Sequence, residues 1–355
     1  MGGPFGFYFS QTGGLNLLEL DNETPFPVVL QPWLDKENLD HASVFVKTTY
    51  ALPEEPGSAL IPAEEQMDPV KAAEYFGEPG ESSLKYDTDT APVKPGTDVV
   101  LIASAVSSKP VQQMNVSLSA GPLAKTVRVI GDRTWHRKLG RWHISDPEPF
   151  TEMPLMYERA FGGSDTSPKK SADHDWESRN PVGTGFNVAG EKDLLEGMLL
   201  PNLEDPKQLI KSRKDRPTPA GFGFLGPNWM PRVEYGGTYD DSWLDQRAPL
   251  LPLDFDDRFF HSAPPDLVNP TPFEGGEKVV VTGVSAQGHL EFEIPKISFV
   301  AKVTIKNQTT EYRTALDTVM IEPEEGRVVL NHRLLFACPR QFLYIKKVHV
   351  SEATS

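Results

Sequence analysis

Cysteine is almost absent. Cys338 stands alone in 355 residues, so no intrachain disulfide can form, and a reducing compartment is expected. It lies in the apolar run Leu334-Leu335-Phe336-Ala337-Cys338, which reads as a buried structural thiol rather than a nucleophile. No run approaches the ~18 apolar residues of a membrane span. The start, Met1-Gly2-Gly3-Pro4-Phe5-Gly6, carries no basic segment followed by an apolar one, so a cytoplasmic location is expected. Basic residues are outnumbered, 35 against 50 acidic, for a formal net charge of −15. Such a field repels phosphate backbones and anionic lipid, so neither nucleic acid nor membrane is expected as a partner, and a basic protein surface suits it better.

Enzyme signatures are missing too. There is no phosphate-binding G-x-x-x-x-G-K-[ST], no G-x-S-x-G, no H-E-x-x-H and no pair of C-x-x-C. Gly221-Phe222-Gly223-Phe224-Leu225-Gly226 has the spacing G-x-G-x-x-G, but it follows Pro217-Thr218-Pro219-Ala220 and precedes Pro227. A strand before it and a helix after it, which nucleotide binding needs, are not expected.

What the chain has in excess is proline and glycine, 33 and 28 residues. Proline in a helix interior costs about 3 kcal/mol, so a long-helix protein is excluded. Hydrophobic residues at 38 % and 19 phenylalanines still suffice for a core. The fold expected is mainly β, with antiparallel sheets in a sandwich or barrel-like arrangement, long ordered Pro/Gly-rich loops and a few short helices. Residues 42–52, 98–105, 111–119 and 125–130 read as strands by β-branched content or alternation. Residues 277–284 and 289–294 read as a hairpin, as do 317–322 and 327–330, with a last strand in 342–350. Between them lie an irregular acidic excursion over 53–97 and a loop-rich stretch over 131–272 that holds five of the six tryptophans. Short helices are expected at 67–76, capped by Asp68 with Pro69 in the first turn, and at 193–199 and 207–211. Because β blocks bracket the loops, residues 1–355 are read as one interdependent domain with parts 1–130, 131–272 and 273–355.

Polar residues concentrate between Gly131 and Gly163. An enzyme reading takes Asp132, Glu148 and Glu158 as acid and base on a sugar, with Trp135 or Trp142 as a stacking platform. A structural reading pairs Asp132 and Glu158 with Arg133 and Arg159, tying loops that lack ladder hydrogen bonds, and lets Gly162-Gly163 take positive φ. His136, His143, Asp173, His174 and Asp175 match no tight metal-ligand spacing, and Asp254, Asp256 and Asp257 lack the glycine turn and closing glutamate of a calcium loop. No metal, no cofactor and no catalytic residue are expected.

At these residues the chain resembles a bacterial family of unknown-function domains encoded beside VgrG and PAAR-repeat genes in type VI secretion clusters. The resemblance is carried by Gly131-Asp132-Arg133-x-Trp135, by Met153-Pro154-Leu155-x-Tyr157-Glu158-Arg159-Ala160-Phe161-Gly162-Gly163 and by Arg179-Asn180-Pro181-Val182-Gly183. It continues through Leu200-Pro201-Asn202-Leu203-Glu204-Asp205-Pro206, Pro219-Ala220-Gly221-Phe222-Gly223 and Ala263-Pro264-Pro265-Asp266-Leu267, and upstream through 83–89 and 94–99. It implies a non-enzymatic adaptor or chaperone that brings a secreted effector to the VgrG–PAAR spike. The motif residues Gly131, Asp132, Arg133, Trp135, Tyr157, Glu158, Arg159, Phe161, Gly162, Gly163, Arg179, Asn180 and Pro181 are then scaffold or partner contacts. The competing expectation is a hydrolase of cell-wall glycan or peptide using Asp132, Glu148 and Glu158.

Overall fold

A computed structural model describes residues 18–166, 174–187, 195–286, 288–338 and 342–353. It is mainly β, with a few short helices and no closed barrel among the described residues. The largest sheet has seven strands: Val268–Asn269, Thr97–Leu101, Ala315–Glu322, Arg327–Ala337, Asp40–Ala51 and Val28–Leu34 in spatial order, with Ile61–Pro62 added beside Asp40–Ala51. A five-stranded sheet joins Gln113–Ala120 and Leu123–Ile130 to the hairpin Lys278–Ser285 and Gly288–Glu293. A four-stranded sheet pairs Phe299–Ile305 with Gln308–Arg313 and Ile345–Glu352. Pairing is mixed rather than purely antiparallel: Glu19–Asn22 runs parallel to Ile345–Glu352, and Thr97–Leu101 parallel to Ala315–Glu322.

Both hairpins form where the sequence placed them: Lys278–Ser285 with Gly288–Glu293 keeps one wet face, which leaves a single workable register, whereas Ala315–Glu322 with Arg327–Ala337 is buried on both faces. Two apolar clusters result. One joins Val44, Val46, Leu334 and Phe336 of the large sheet to Ala301, Val303, Val348 and Val350 of the four-stranded sheet. The other joins Val99, Leu101, Val319 and Ile321 to Val116, Leu118, Val127 and Val281 of the five-stranded sheet.

Side chains alternate along a strand, so the face opposite Val44 and Val46 carries Phe45, Lys47 and Thr49. The register sets Lys47, Asn331, Thr318 and Asp98 side by side across four strands, all buried. Buried charge is costly unless paired, and the excursion over 53–97 supplies the partners. Lys47 donates to Asp89 at 2.7 Å, and the other Asp89 oxygen accepts from Asn331. Lys94 donates to Asp98 and to the Thr318 hydroxyl. Arg333 binds the Asp317 carboxylate at 2.6 Å and the carbonyls of Asp89 and Ala91. Tyr86 donates to Glu322 at 2.6 Å. The proline-rich excursion is ordered because a charged sheet face holds it down.

Two expected helices are not there. The 67–76 segment is extended and ends in the short strand Glu74–Tyr75. Its backbone is satisfied from outside, Met67 N–H by the Thr49 hydroxyl and Val70 N–H by the Asp89 carboxylate, so the helix has no bonds left to gain. Residues 207–211 are a turn running into irregular chain, where Asp205, Glu204 and Asp215 carboxylates accept from the N–H groups of Lys207, Ile210 and Lys211. The start of the 193–199 segment lies outside the described residues. Helices instead occupy Arg232–Tyr235 and Asp241–Gln246, the latter capped by the Asp240 side chain on Trp243 N–H at 2.8 Å.

Candidate functional site

The motif segments meet around Asn180. This side chain is fully buried, and its amide donates to the carbonyls of Tyr157 at 2.7 Å and Phe161 at 3.1 Å. The backbone carbonyl of Asn180 accepts from the N–H groups of Gly163 and Gly183. Gly163 has φ +96°, and a Cβ there would stand 2.4 Å from the Gly183 carbonyl oxygen. Only glycine fits so close an approach at that backbone angle. Gly131 is equally constrained, by the Glu148 carbonyl, which a Cβ would meet at 1.8 Å. Trp135 and Phe161 are buried with Leu195, Leu200 and Ile210 in a small core of their own. Trp135 is thus a packing residue, and Trp142 lies half-buried against the same cluster.

The expected carboxylate–guanidinium pairs are redistributed. Arg133 is buried and binds Glu204 at 2.5 Å and the Pro201 carbonyl at 2.8 Å, not Asp132. Both Glu158 oxygens accept from Ser83, from its N–H and its hydroxyl, each at 2.7 Å. Asp132 accepts from Asn202 at 2.8 Å and stands 3.7 Å from Arg159, which itself donates to Asn202. Glu148 is exposed. Asp132, Glu148 and Glu158 therefore sit in three different surroundings. The missed partners, Glu204, Asn202 and Ser83, lie 71, 70 and 75 positions away from Arg133, Asp132 and Glu158, and only their presence inside quoted motifs hinted at them.

Among the described residues no group of three or more His, Cys, Asp or Glu is placed to hold a metal. His136 and His143 face each other across a two-stranded ribbon with rings 5.8 Å apart; Asp173 lies outside the described residues. Asp254 caps Thr238, and Asp256 pairs with Arg258 at 2.7 Å. The Gly221–Gly226 run packs on Tyr157, whose ring leaves a Gly221 Cβ only 2.7 Å.

These anchors shape a groove of about 560 Å³. Its walls come from separate segments: Tyr157, Ser178-Arg179, Thr218-Pro219, Met230-Pro231 and Pro264-Pro265-Asp266. Tyr157 stands edge-on to Trp229 at 5.5 Å, and burial pushes its phenol well above the usual range. Arg179 grips Glu177 through two 2.7 Å bonds; burial raises that carboxyl, and the guanidinium more than offsets it and holds it low. The Pro264-Pro265 wall hangs from Asp98, which accepts from Ser262 N–H at 2.8 Å and from His261 at 2.7 Å. Asp266 pairs at 2.8 Å with Lys125 of the strand Leu123–Ile130. The surface offered is apolar and proline-lined, with Arg179 and a lysine–aspartate pair at its polar positions.

The protein is therefore a mixed-sheet β protein whose long loops are locked by buried charge and meet at one groove. It belongs to the family described as an uncharacterized protein conserved in bacteria (DUF2169), whose profile matches residues 37–333. Neither the curated proteins nor the solved structures give a match. No helix among the described residues is long and apolar enough to cross a membrane.

Proposed function

We propose that this protein is a cytoplasmic adaptor or chaperone of a type VI secretion system, binding a toxic effector and helping to load it onto the VgrG–PAAR spike. The observation that carries the reading is the groove of about 560 Å³, at which motif segments more than 100 residues apart in the chain converge on Tyr157 and Arg179. Loops held on a sheet scaffold and presenting Tyr, Arg and proline surface suit recognition of another protein. The resemblance to proteins encoded beside VgrG and PAAR genes supports the identity of the cargo, and the net charge of −15 supports a basic cargo segment.

The test is affinity purification with the neighbouring effector, VgrG and PAAR proteins, together with effector secretion in a deletion strain. Ser178→Trp and Thr218→Trp, both at exposed positions on the groove wall, are expected to abolish co-purification while leaving the circular dichroism spectrum unchanged. Intact secretion in the deletion strain, with no genomic neighbour captured, overturns the proposal.

A further inference from the structure

A second cavity, of about 300 Å³, shares Tyr157 with the groove and no other wall residue. Its walls are largely apolar, including Phe76, Ile102, Ala103, Leu155 and Met156, and Phe76 is 39 % exposed there. No lysine or arginine lines it. Two glutamates do, Glu152 on the strand Phe150–Pro154 and Glu324 in the turn between Ala315–Glu322 and Arg327–Ala337. Both are exposed, and neither carboxylate has a hydrogen bond or ion pair among the described residues. The third nearby carboxylate, Glu158, already accepts from Ser83 at both of its oxygens. An apolar hollow with two unpaired negative charges on its wall asks for a ligand that is apolar along its length and cationic at its end. Lysine and arginine side chains have that form, burying their methylenes while keeping the head polar.

We propose that this cavity is a receptor for a lysine- or arginine-bearing segment of a partner protein. The aliphatic stem lies on Ile102, Leu155 and Met156, and the cationic head sits at Glu152 and Glu324. An acidic segment is repelled by the same two groups, and the overall charge of −15 steers a basic one toward the protein. This assignment concerns the chemistry of the occupant and stands whether or not the partner is a secreted effector.

The probe is a fluorescently labelled octapeptide of alternating leucine and lysine, followed by anisotropy at low salt. Glu152→Gln/Glu324→Gln is expected to weaken it about tenfold, the combined size of two exposed ion pairs. Glu64→Gln/Glu65→Gln removes the same charge from exposed positions outside both cavities and is expected to change affinity less than twofold. Ala103→Trp, which fills the hollow, is expected to abolish binding. Equal weakening by the two glutamine pairs means diffuse attraction to an acidic surface and overturns the proposal. So does equal binding of a leucine–serine octapeptide, which marks the cavity as an apolar groove only, and so does no binding to the unaltered protein. None of these outcomes depends on the co-purification result.

Discussion

Asp98 holds one wall of the groove to the large sheet, so Asp98→Asn is the most informative single substitution. The carboxylate is fully buried and receives Lys94 Nζ at 2.8 Å, His261 Nδ1 at 2.7 Å and Ser262 N–H at 2.8 Å. Asparagine keeps the volume but removes the charge that balances Lys94, whose side chain is only 8 % exposed. Breaking a buried pair on one side costs about 3–5 kcal/mol. Lys94 keeps its bond to Thr318, which places the expected loss near the lower bound, about 3 kcal/mol. Urea unfolding reads this as a lower midpoint with an unchanged slope. The pH dependence adds a second readout. Burial pushes the Asp98 carboxyl up, but the Lys94 charge and then His261 outweigh it and hold the group well below the carboxylate range. A depressed folded pKa stabilises the fold above the unfolded value near pH 4, and that contribution is lost as pH falls below it. The deficit of the variant is therefore constant from about pH 5 to 8 and shrinks below about pH 4. A loss under about 1 kcal/mol at pH 7 refutes the reasoning, as does a deficit equally large at pH 7 and pH 3.

Gly163→Ala forces a Cβ to within 2.4 Å of the Gly183 carbonyl oxygen at φ +96°, and about 2 kcal/mol of stability is expected to go; an unchanged melting temperature contradicts it. Cys338 is 1 % exposed, and burial first, with Asp40 adding to it, pushes its thiol up to about 12, so a thiol reagent at pH 7.5 is expected to label the unfolded chain and spare the folded one. His332 is buried against the Phe299 ring, and desolvation drives it down to about 4 despite Asp317. It is neutral when folded, so its share of stability is complete above pH 6.5 and drains away as pH falls toward 4. His332→Phe is expected to flatten that stretch of the urea midpoint against pH; the same slope in both proteins overturns the assignment.

The hairpins were legible because alternation is local: Leu290, Phe292 and Ile294 against Glu291 and Glu293 fix a face without reference to the rest of the chain. The buried charged face was not. Lys47, Asp89 and Asn331 each look solvated in their own segment, and they meet only across 42 and 242 positions of the chain. The same distance hid the partner of Arg133, where adjacent Asp132 was the natural choice and Glu204 took the place. The helix signal at Asp68-Pro69 was sound as local chemistry, but Thr49 and Asp89 supplied the N–H acceptors first. The positions of the motifs were readable, and their convergence on one groove was not, since nothing in a single segment records which loops face each other.

Most walls of that groove trace back to a buried polar residue rather than to a regular element. Asp98 fixes Ser262 and, through it, Pro264-Pro265. Arg232 reaches from the 232–235 helix to the Leu225 carbonyl at 2.5 Å and to Asp87 at 3.0 Å, tying another wall to the excursion that covers the charged sheet face. Asn180 fixes Tyr157, and Glu177 fixes Arg179. Loops rich in proline and glycine have few ladder bonds of their own, so they take a single shape only where side chains supply the missing partners. A groove built this way is ordered before anything binds. The partner segment proposed for it would then contribute contacts without the cost of organising the site.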